Sequence, residues 1–88
     1  MSDAILSELT EIFRDVLDDD TIVLRRETTA ADVKGWDSAN HVNLVVTVEM
    51  RYKIRVSNIE VEHLTNVGDF VDLIERKLNA KTANTASR

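Results

Sequence analysis

Apolar residues recur at helical spacing near both ends of the chain. In the first run they fall on one face, opposite acidic side chains, at Ile5, Leu9, Ile12, Phe13 and Val16. This pattern predicts a helix from about Asp3 to Leu17, which ends at Asp18–Asp20 because adjacent negative charges are unfavourable at a helix C-terminus. The last run predicts a final helix capped by Thr65 or Asn66, with its apolar face formed by Val67, Phe70, Val71, Ile74 and Leu78.

Between these helices lie a long connection and a short helical segment. The connection runs from Thr21 to Trp36, and we expect its apolar residues 22–24 to pack into the core. Ser57 and Glu60 have the spacing of a capping box, which predicts a short helix over residues 59–64. We expect Trp36 to be a half-buried anchor for the connection.

The segment from Val42 to Met50 fits two patterns. Its apolar residues alternate with period two, and its β-branched content slightly favours a strand. The same segment can be placed on a helix with Asp37 as its N-cap. The residues alone leave both interpretations open.

Composition excludes several classes of protein. The 88 residues suit one small domain, and the chain contains no cysteine for a disulfide, a thiolate metal site or thiol catalysis. His41 and His63 lack zinc-site spacing, so we expect no metal. A net charge of -5 disfavours nucleic-acid binding. With no apolar run of about 18 residues and no basic leader, we expect no membrane insertion and a cytoplasmic location.

An enzymatic function finds little support in the sequence. There is no glycine-rich phosphate loop and no G-x-S-x-G motif, and the chain has only two glycines. We therefore predict no catalytic residues.

The stretch Gly35-Trp36-Asp37-Ser38-Ala39 carries the most information about function. With the helical pattern from Ile5 to Leu78, it resembles the acyl carrier protein family, in which an Asp-Ser-Leu tripeptide opens the second helix. The resemblance implies an all-α fold, a small four-helix bundle with a long first loop and a short third helix. It favours the helix over residues 42–50. We expect this domain to span residues 1–78 and residues 79–88 to form a disordered tail.

The resemblance also implies a function. Ser38 would receive a 4'-phosphopantetheine arm from coenzyme A through a phosphopantetheinyl transferase, and the arm would hold an acyl group as a thioester. Asp37 would cap the helix and assist recognition by the transferase. The chain would act as a monomer that shuttles acyl groups between loading and transfer enzymes of a fatty-acid, polyketide or specialised acyl pathway.

Two features depart from the family pattern. Ala39 replaces the leucine that follows the serine, and Asn43, Met50 and Arg51 stand where the family often has acids. These differences predict a dedicated set of partner enzymes. The residues expected to contact those partners are Ala39, Val42, Asn43 and Val46.

Three alternatives remain open at the level of sequence. The chain could be an unmodified helical adaptor that acts through the surface of its second helix, or an aminoacyl or peptidyl carrier. A strand over residues 42–50 would instead give an α+β binding domain. His41, one turn after Ser38, is expected to pack or face solvent rather than reach a phosphate.

Overall fold

The structure is a computed structural model that describes residues 2–86, with side chains described for residues 3–81. It contains four α-helices: α1 (Ser2–Leu17), α2 (Ser38–Tyr52), α3 (Asn58–Glu62) and α4 (Val67–Ala86). A 3-10 turn, Ala30–Asp32, interrupts the long connection between α1 and α2. The predicted all-α bundle with a long first loop and a short third helix is confirmed. No described helix is long and apolar enough to cross a membrane.

Both long N-terminal helices end in the left-handed backbone region. After α1, Asp18 has φ 53, and the N–H of Asp19 donates to the carbonyl of Arg14 at 3.0 Å. After α2, Lys53 has φ 56 and donates its N–H to the carbonyl of Glu49. These bonds satisfy carbonyls that a helix end otherwise leaves without partners. The predicted end of the first helix at Leu17 is confirmed.

The ambiguous segment from Val42 to Met50 is helical throughout. Its buried residues are Leu44, Val45 and Val48, which follow helical rather than alternating spacing. The local preference for a strand is therefore wrong, and the α+β alternative with it. The decisive factor is that α1 packs against both α2 and α4, so one face of α2 is buried against a helix.

Aromatic rings occupy the centre of the bundle. Phe13 of α1 and Phe70 of α4 are fully buried, with ring centroids 6.2 Å apart in an edge-to-face arrangement. Trp36, from the end of the connection, meets Phe13 edge-on at 4.9 Å. Aromatic pairs in this geometry stabilise a core by about 0.5–1.5 kcal/mol beyond their burial. Residues of three separate segments thus meet at one point.

A hydrogen bond joins α1 to the end of α2. The Tyr52 hydroxyl donates to the Glu8 carboxylate at 2.7 Å. Partial burial and this hydrogen bond raise the pKa of the Tyr52 hydroxyl above its ordinary value. Tyr52 therefore lies at the edge of the core, packed against it but only partly buried.

The long connection is fastened to the beginning of α4. The N–H of Val67 donates to the Thr28 carbonyl at 2.8 Å, and the N–H of Gly68 donates to the Arg26 carbonyl at 2.7 Å. A Cβ on Gly68 would lie 3.0 Å from that carbonyl, so glycine permits the close approach. Loop carbonyls thereby satisfy N–H groups of the first turn of α4.

The apolar cluster of the connection contributes to the core only in part. Ile22 and Leu24 are buried, as expected, but Val23 between them is 68% exposed. In extended chain, successive side chains point in opposite directions, so three consecutive residues cannot all face the core. The prediction for this cluster is wrong at Val23.

The C-terminal boundary also differs from expectation. Helix α4 continues through Ala86, so disorder does not begin at Asn79, and Ser87 and Arg88 lie outside the described residues. Ala80 and Lys81 are good helix formers. The Lys81 Nζ donates to the carbonyls of Tyr52 and Lys53 at 3.5 and 3.3 Å, where α2 ends. Polarity alone did not distinguish a solvated helix from a disordered tail.

We predict that a chain ending at Ala80 still folds cooperatively. The removed segment begins beyond the buried residues of α4, and the Lys81 contacts are exposed, so we expect a loss of less than about 1 kcal/mol. In a domain of this size that lowers the Tm by no more than about 8 °C. A thermal melt followed by circular dichroism measures it. Ile74→Ala, which removes a buried side chain, should shift the Tm further, and a larger loss on truncation would contradict the prediction.

Candidate functional site

The N-terminus of α2 is held by a small set of polar contacts. Asp37 has extended backbone, and its Oδ1 accepts the N–H of Asn40 at 2.9 Å. The Asn40 Nδ2 in turn donates to the Gly35 carbonyl at 2.8 Å. Gly35 has φ 92, a conformation that strongly favours glycine. The predicted role of Asp37 as N-cap is confirmed.

Ser38 is the first residue of α2, and its side chain is exposed. The hydroxyl makes no hydrogen bond to any other side chain or backbone group in the described part of the chain. It stands beside the first-turn N–H groups, where the helix dipole favours negative charge. The arrangement offers a free nucleophilic oxygen next to a position suited to an anion.

A groove opens beside Ser38, between the start of α2 and α3. Its volume is about 430 Å³, and its lining combines apolar with polar side chains: Trp36, Ser38, His41, Val61, Glu62 and Leu64. The hydroxyl of Ser38 therefore faces an open, amphipathic space rather than a closed catalytic pocket. Among the residues the structure describes, His, Asp and Glu side chains form no cluster that could hold a metal ion.

Trp36 and His41 form the floor of this groove through a hydrogen-bonded chain. The Trp36 Nε1 donates to the His41 Nδ1 at 2.9 Å, and the His41 Nε2 lies 3.3 Å from the Val61 carbonyl. An indole N–H can only donate, so the His41 Nδ1 must be unprotonated and its Nε2 carries the proton. Trp36 is more buried than expected, at 5% exposure. His41 packs, as predicted, and links α2 to α3.

Charged groups hold α3 in place as the wall of the groove. The Glu60 carboxylate accepts the N–H of Ser57, and the Ser57 hydroxyl accepts the N–H of Glu60, so the predicted capping box is confirmed. Lys77 of α4 lies 3.0 Å from the Glu60 carboxylate. These contacts lower the pKa of Glu60 to about 2. The hydrogen bond from the Ser57 N–H has the largest effect, and Lys77 has the next largest.

The residues predicted to contact partners all lie on the outer surface of α2. Ala39, Val42, Asn43 and Val46 are exposed. Asn43 also donates to the Asn40 Oδ1 at 3.3 Å, which adds it to the polar contacts around the cap. Their contact with partner enzymes stays a prediction.

Two contacts that position the site, one of Asn40 and one of Glu49, were not predicted from the sequence. Asn40 ties the helix to the Gly35 turn, and the Glu49 carboxylate accepts the N–H of Val56 at 2.8 Å, which fixes the connection from α2 to α3. An Asn three residues after an Asp cap is a weak signal. The Glu49 contact depends on the path of the chain after α2, which no local pattern specifies.

Comparisons with known proteins agree with this geometry. The chain is 32% identical to the acyl carrier protein of Thermotoga maritima over 74 residues, covering 84% of this chain and 91% of that one. It is 32% identical to the acyl carrier protein of Phenylobacterium zucineum over 80 residues, 91% of this chain and 100% of that one. The chain belongs to the acyl carrier protein family. No protein-family model matches it.

Solved structures support the same assignment. The fold matches the solution structure of a holo acyl carrier protein from Geobacter metallireducens with a TM-score of 0.85 and 51% identity, covering 90% of this chain and 91% of that one. A crystal structure of the Thermotoga maritima acyl carrier protein, 23% identical, shares the fold with a TM-score of 0.81 over 90% and 92% of the two chains. The chain is thus an acyl carrier, and the site at the start of α2 lies in the bundle typical of its family.

We predict that His41→Leu destabilises this acyl carrier by about 1–3 kcal/mol, because the buried Trp36 N–H then lacks an acceptor. Trp36→Phe removes the donor instead. In the His41→Leu background it should therefore be less destabilising than in the natural chain. Chemical denaturation of the four chains gives the double-mutant cycle. Strictly additive losses would contradict the hydrogen bond.

We predict that the wall formed by α3 loosens only in strong acid. The lowered pKa of Glu60 means that its contribution is complete above the ordinary value near 4.5 and is lost as pH falls towards about 2. The amide shift of Ser57, which donates to Glu60, reports this titration by NMR. We expect a midpoint near 2 that disappears in Glu60→Gln and persists in Glu62→Gln. A midpoint near 4.5 would contradict the assignment.

Proposed function

We propose that Ser38 is the attachment point of a 4'-phosphopantetheine arm, transferred from coenzyme A by a phosphopantetheinyl transferase. The observation that carries the proposal is the exposed, unbonded hydroxyl of Ser38, directly after the capping Asp37, in a chain of the acyl carrier protein family. The holo acyl carrier protein from Geobacter metallireducens is among the similar solved structures.

The residues around Ser38 suit such a group. The first turn of α2 provides N–H groups and the positive end of a helix dipole, which stabilise a phosphodiester. The adjacent groove is open and has both apolar and polar walls, as a flexible arm with amide and methylene groups requires. Ser38 would hold the arm covalently, while Trp36, Val61 and Leu64 offer it apolar contact.

The attachment reaction requires only the hydroxyl of Ser38 from this chain. The Ser38 oxygen forms a new bond to the phosphorus of the phosphopantetheine as the pyrophosphate bond of coenzyme A breaks. Adenosine 3',5'-bisphosphate leaves, and the hydroxyl proton passes to a base. That base belongs to the transferase, since His41 has its Nδ1 occupied by Trp36. When attached, the arm supplies the thiol that holds an acyl group as a thioester, in a chain that has no cysteine of its own.

In this role the protein is the substrate and the cofactor-bearing partner of other enzymes, with no catalysis of its own. Its partners are the transferase and the acyl-loading and acyl-transfer enzymes of a fatty-acid, polyketide or specialised acyl pathway. We further propose that it works as a monomer in the cytoplasm. Asp37 has two roles in this proposal, as the cap of α2 and as a recognition residue for the transferase.

The proposal predicts a mass gain of one phosphopantetheine on incubation with coenzyme A and a broad-specificity phosphopantetheinyl transferase. Intact-protein mass spectrometry measures it. Ser38→Ala should show no gain, because the accepting oxygen is missing, and Ser7→Ala on the exposed surface of α1 is the matched control that should label normally.

Asp37→Ala separates the two roles of the cap within the same experiment. It should lower stability by about 1 kcal/mol and slow labelling as well. If folded Asp37→Ala is labelled at the normal rate, the role of Asp37 in recognition by the transferase is contradicted. A natural chain that several transferases leave unmodified would contradict the proposal and favour an unmodified adaptor.

A further inference from the structure

The hydrogen bond between Trp36 and His41 can form in only one protonation state of the imidazole. The Trp36 Nε1 donates to the His41 Nδ1 at 2.9 Å, so that nitrogen must carry a lone pair. The proton of the neutral ring is on Nε2, which lies 3.3 Å from the Val61 carbonyl. An added proton therefore binds at Nδ1, where it faces the indole N–H. Protonated His41 has no acceptor on either ring nitrogen, and the bond to Trp36 is lost.

The buried indole has little freedom to adjust to such a change. Trp36 is 5% exposed, and its ring meets Phe13 of α1 edge-on at 4.9 Å. The His41 ring stacks on the indole, with ring centroids 6.0 Å apart, and meets Phe70 of α4 edge-on at 6.2 Å. A buried donor that loses its acceptor is destabilising, because water does not replace the lost bond. Protonation must therefore move one of the two rings, and the partly buried imidazole borders the open groove.

The charged groups around His41 favour a move of the protonated ring into the groove. Asp37, at the start of α2, and Glu62, on α3, line the groove together with His41, and its lining contains no lysine or arginine. On α4, the Asp69 carboxylate accepts the hydroxyl of Thr65, which also lines the groove. All three carboxylates attract a cation. Protonated His41 is therefore drawn away from Trp36 and from the α3 carbonyl that its neutral form contacts.

The same imidazole holds the start of α2 in place. Its bond to Trp36 joins residues 36 and 41, so it closes a ring of chain that contains Asp37 and Ser38. Within that ring, the N–H of His41 donates to the Asp37 carbonyl at 2.7 Å, which keeps the cap on the helix. The contact with Val61 connects this turn to α3, the wall of the groove. Loss of both imidazole contacts lets the turn that carries Ser38 move relative to the core and to α3.

We propose that His41 is a pH-dependent positioning residue for Ser38. In its neutral form it holds Trp36 and α3 and thereby fixes the turn that carries the hydroxyl, and its protonation releases both. Histidine is the side chain that ordinarily changes charge near neutral pH. The N-terminus of α3 keeps its cap in that range, since the pKa of Glu60 is about 2. The release of Trp36 is independent of the proposed function, whereas its effect on attachment of the arm rests on that function.

An NMR titration of the unmodified chain tests the release. The chain has one tryptophan and two histidines, so the indole N–H gives a single resonance that reports on Trp36 alone. The titration runs from about pH 8 to about pH 5, the range in which histidine ordinarily changes charge. We expect the indole N–H resonance to shift with the same midpoint as the His41 ring. The nuclear Overhauser contact between the His41 and Phe70 rings should be lost over the same range.

Two matched variants assign the shift to His41. His41→Asn retains a side-chain oxygen that can accept the indole N–H but cannot be protonated in this range, so the Trp36 resonance should no longer depend on pH. His63→Asn makes the same change at the other histidine, which is exposed at the end of α3. It should leave the titration of the Trp36 resonance unchanged.

The rate of phosphopantetheine attachment tests the positioning of Ser38. The labelling rate of the natural chain is divided by that of His41→Asn at each pH, so that the pH dependence of the transferase itself cancels. We expect this ratio to fall about threefold as His41 becomes protonated, because only the held conformation presents the hydroxyl correctly. The same ratio taken with His63→Asn should stay constant.

An indole resonance that stays fixed while the His41 ring titrates, or that shifts equally in His41→Asn, would overturn the proposal. So would a His41 ring that stays neutral until the chain unfolds, or a labelling ratio that does not change with pH. If no transferase modifies the chain, the proposed function of Ser38 fails, and the positioning role fails with it. The resonances of the unmodified chain still decide whether protonation of His41 releases Trp36.

Discussion

The burial of Trp36 fixes where α2 begins, and the position of Ser38 follows from it. The indole packs edge-on against Phe13 of α1 and donates to His41 of α2, so one side chain connects the end of the long loop with two helices. Trp36 is separated from Ser38 only by the capping Asp37. A shift of the indole out of the core would therefore move the cap and the serine together. The geometry of the site is set by the apolar packing beneath it, together with the polar contacts of Asp37 and Asn40 at the cap.

The same constraint explains why the long connection holds a defined path. Its far end is anchored by Trp36, and its middle supplies the carbonyls of Arg26 and Thr28 to the first N–H groups of α4. The Arg26 guanidinium also binds both oxygens of the Asp72 carboxylate, at 2.8 and 2.9 Å. This ion pair is exposed, so the backbone hydrogen bonds and the burial of Ile22 and Leu24 contribute more to the ordering of the loop. The loop thus acts as a structural part of the bundle, and it delivers the chain to the start of α2 in one orientation.

Sequence patterns predicted the parts of this fold that depend on neighbouring residues. The end of α1, the Asp37 cap and the box formed by Ser57 and Glu60 each depend on groups a few positions apart, and all three are present. The hydrogen bond from Trp36 to His41 and the approach of Gly68 to Arg26 were not predicted. The Gly68 contact joins residues that are distant along the chain. The Trp36 hydrogen bond depends on how deeply the indole is buried. The extension of α4 through Ala86 was also not predicted, because a polar stretch without an apolar face fits both a solvated helix and a coil.

The segment from Val42 to Met50, whose local pattern favoured a strand, is also the segment that leaves apolar side chains exposed on the surface. In a strand, Val42, Leu44, Val46, Val48 and Met50 would share one face, which is why their alternation favoured that interpretation. The helix separates them: Leu44 and Val48 enter the core, while Val42, Val46 and Met50 remain outside. Burial in the core explains why Leu44 and Val48 are apolar, but it does not explain the apolar residues that remain outside. A conflict between local pattern and observed structure is expected where function has constrained the sequence. Met50 lies roughly 18 Å along the helix axis from Ser38 at 1.5 Å per residue, so recognition along α2 and chemistry at its N-terminus can vary independently.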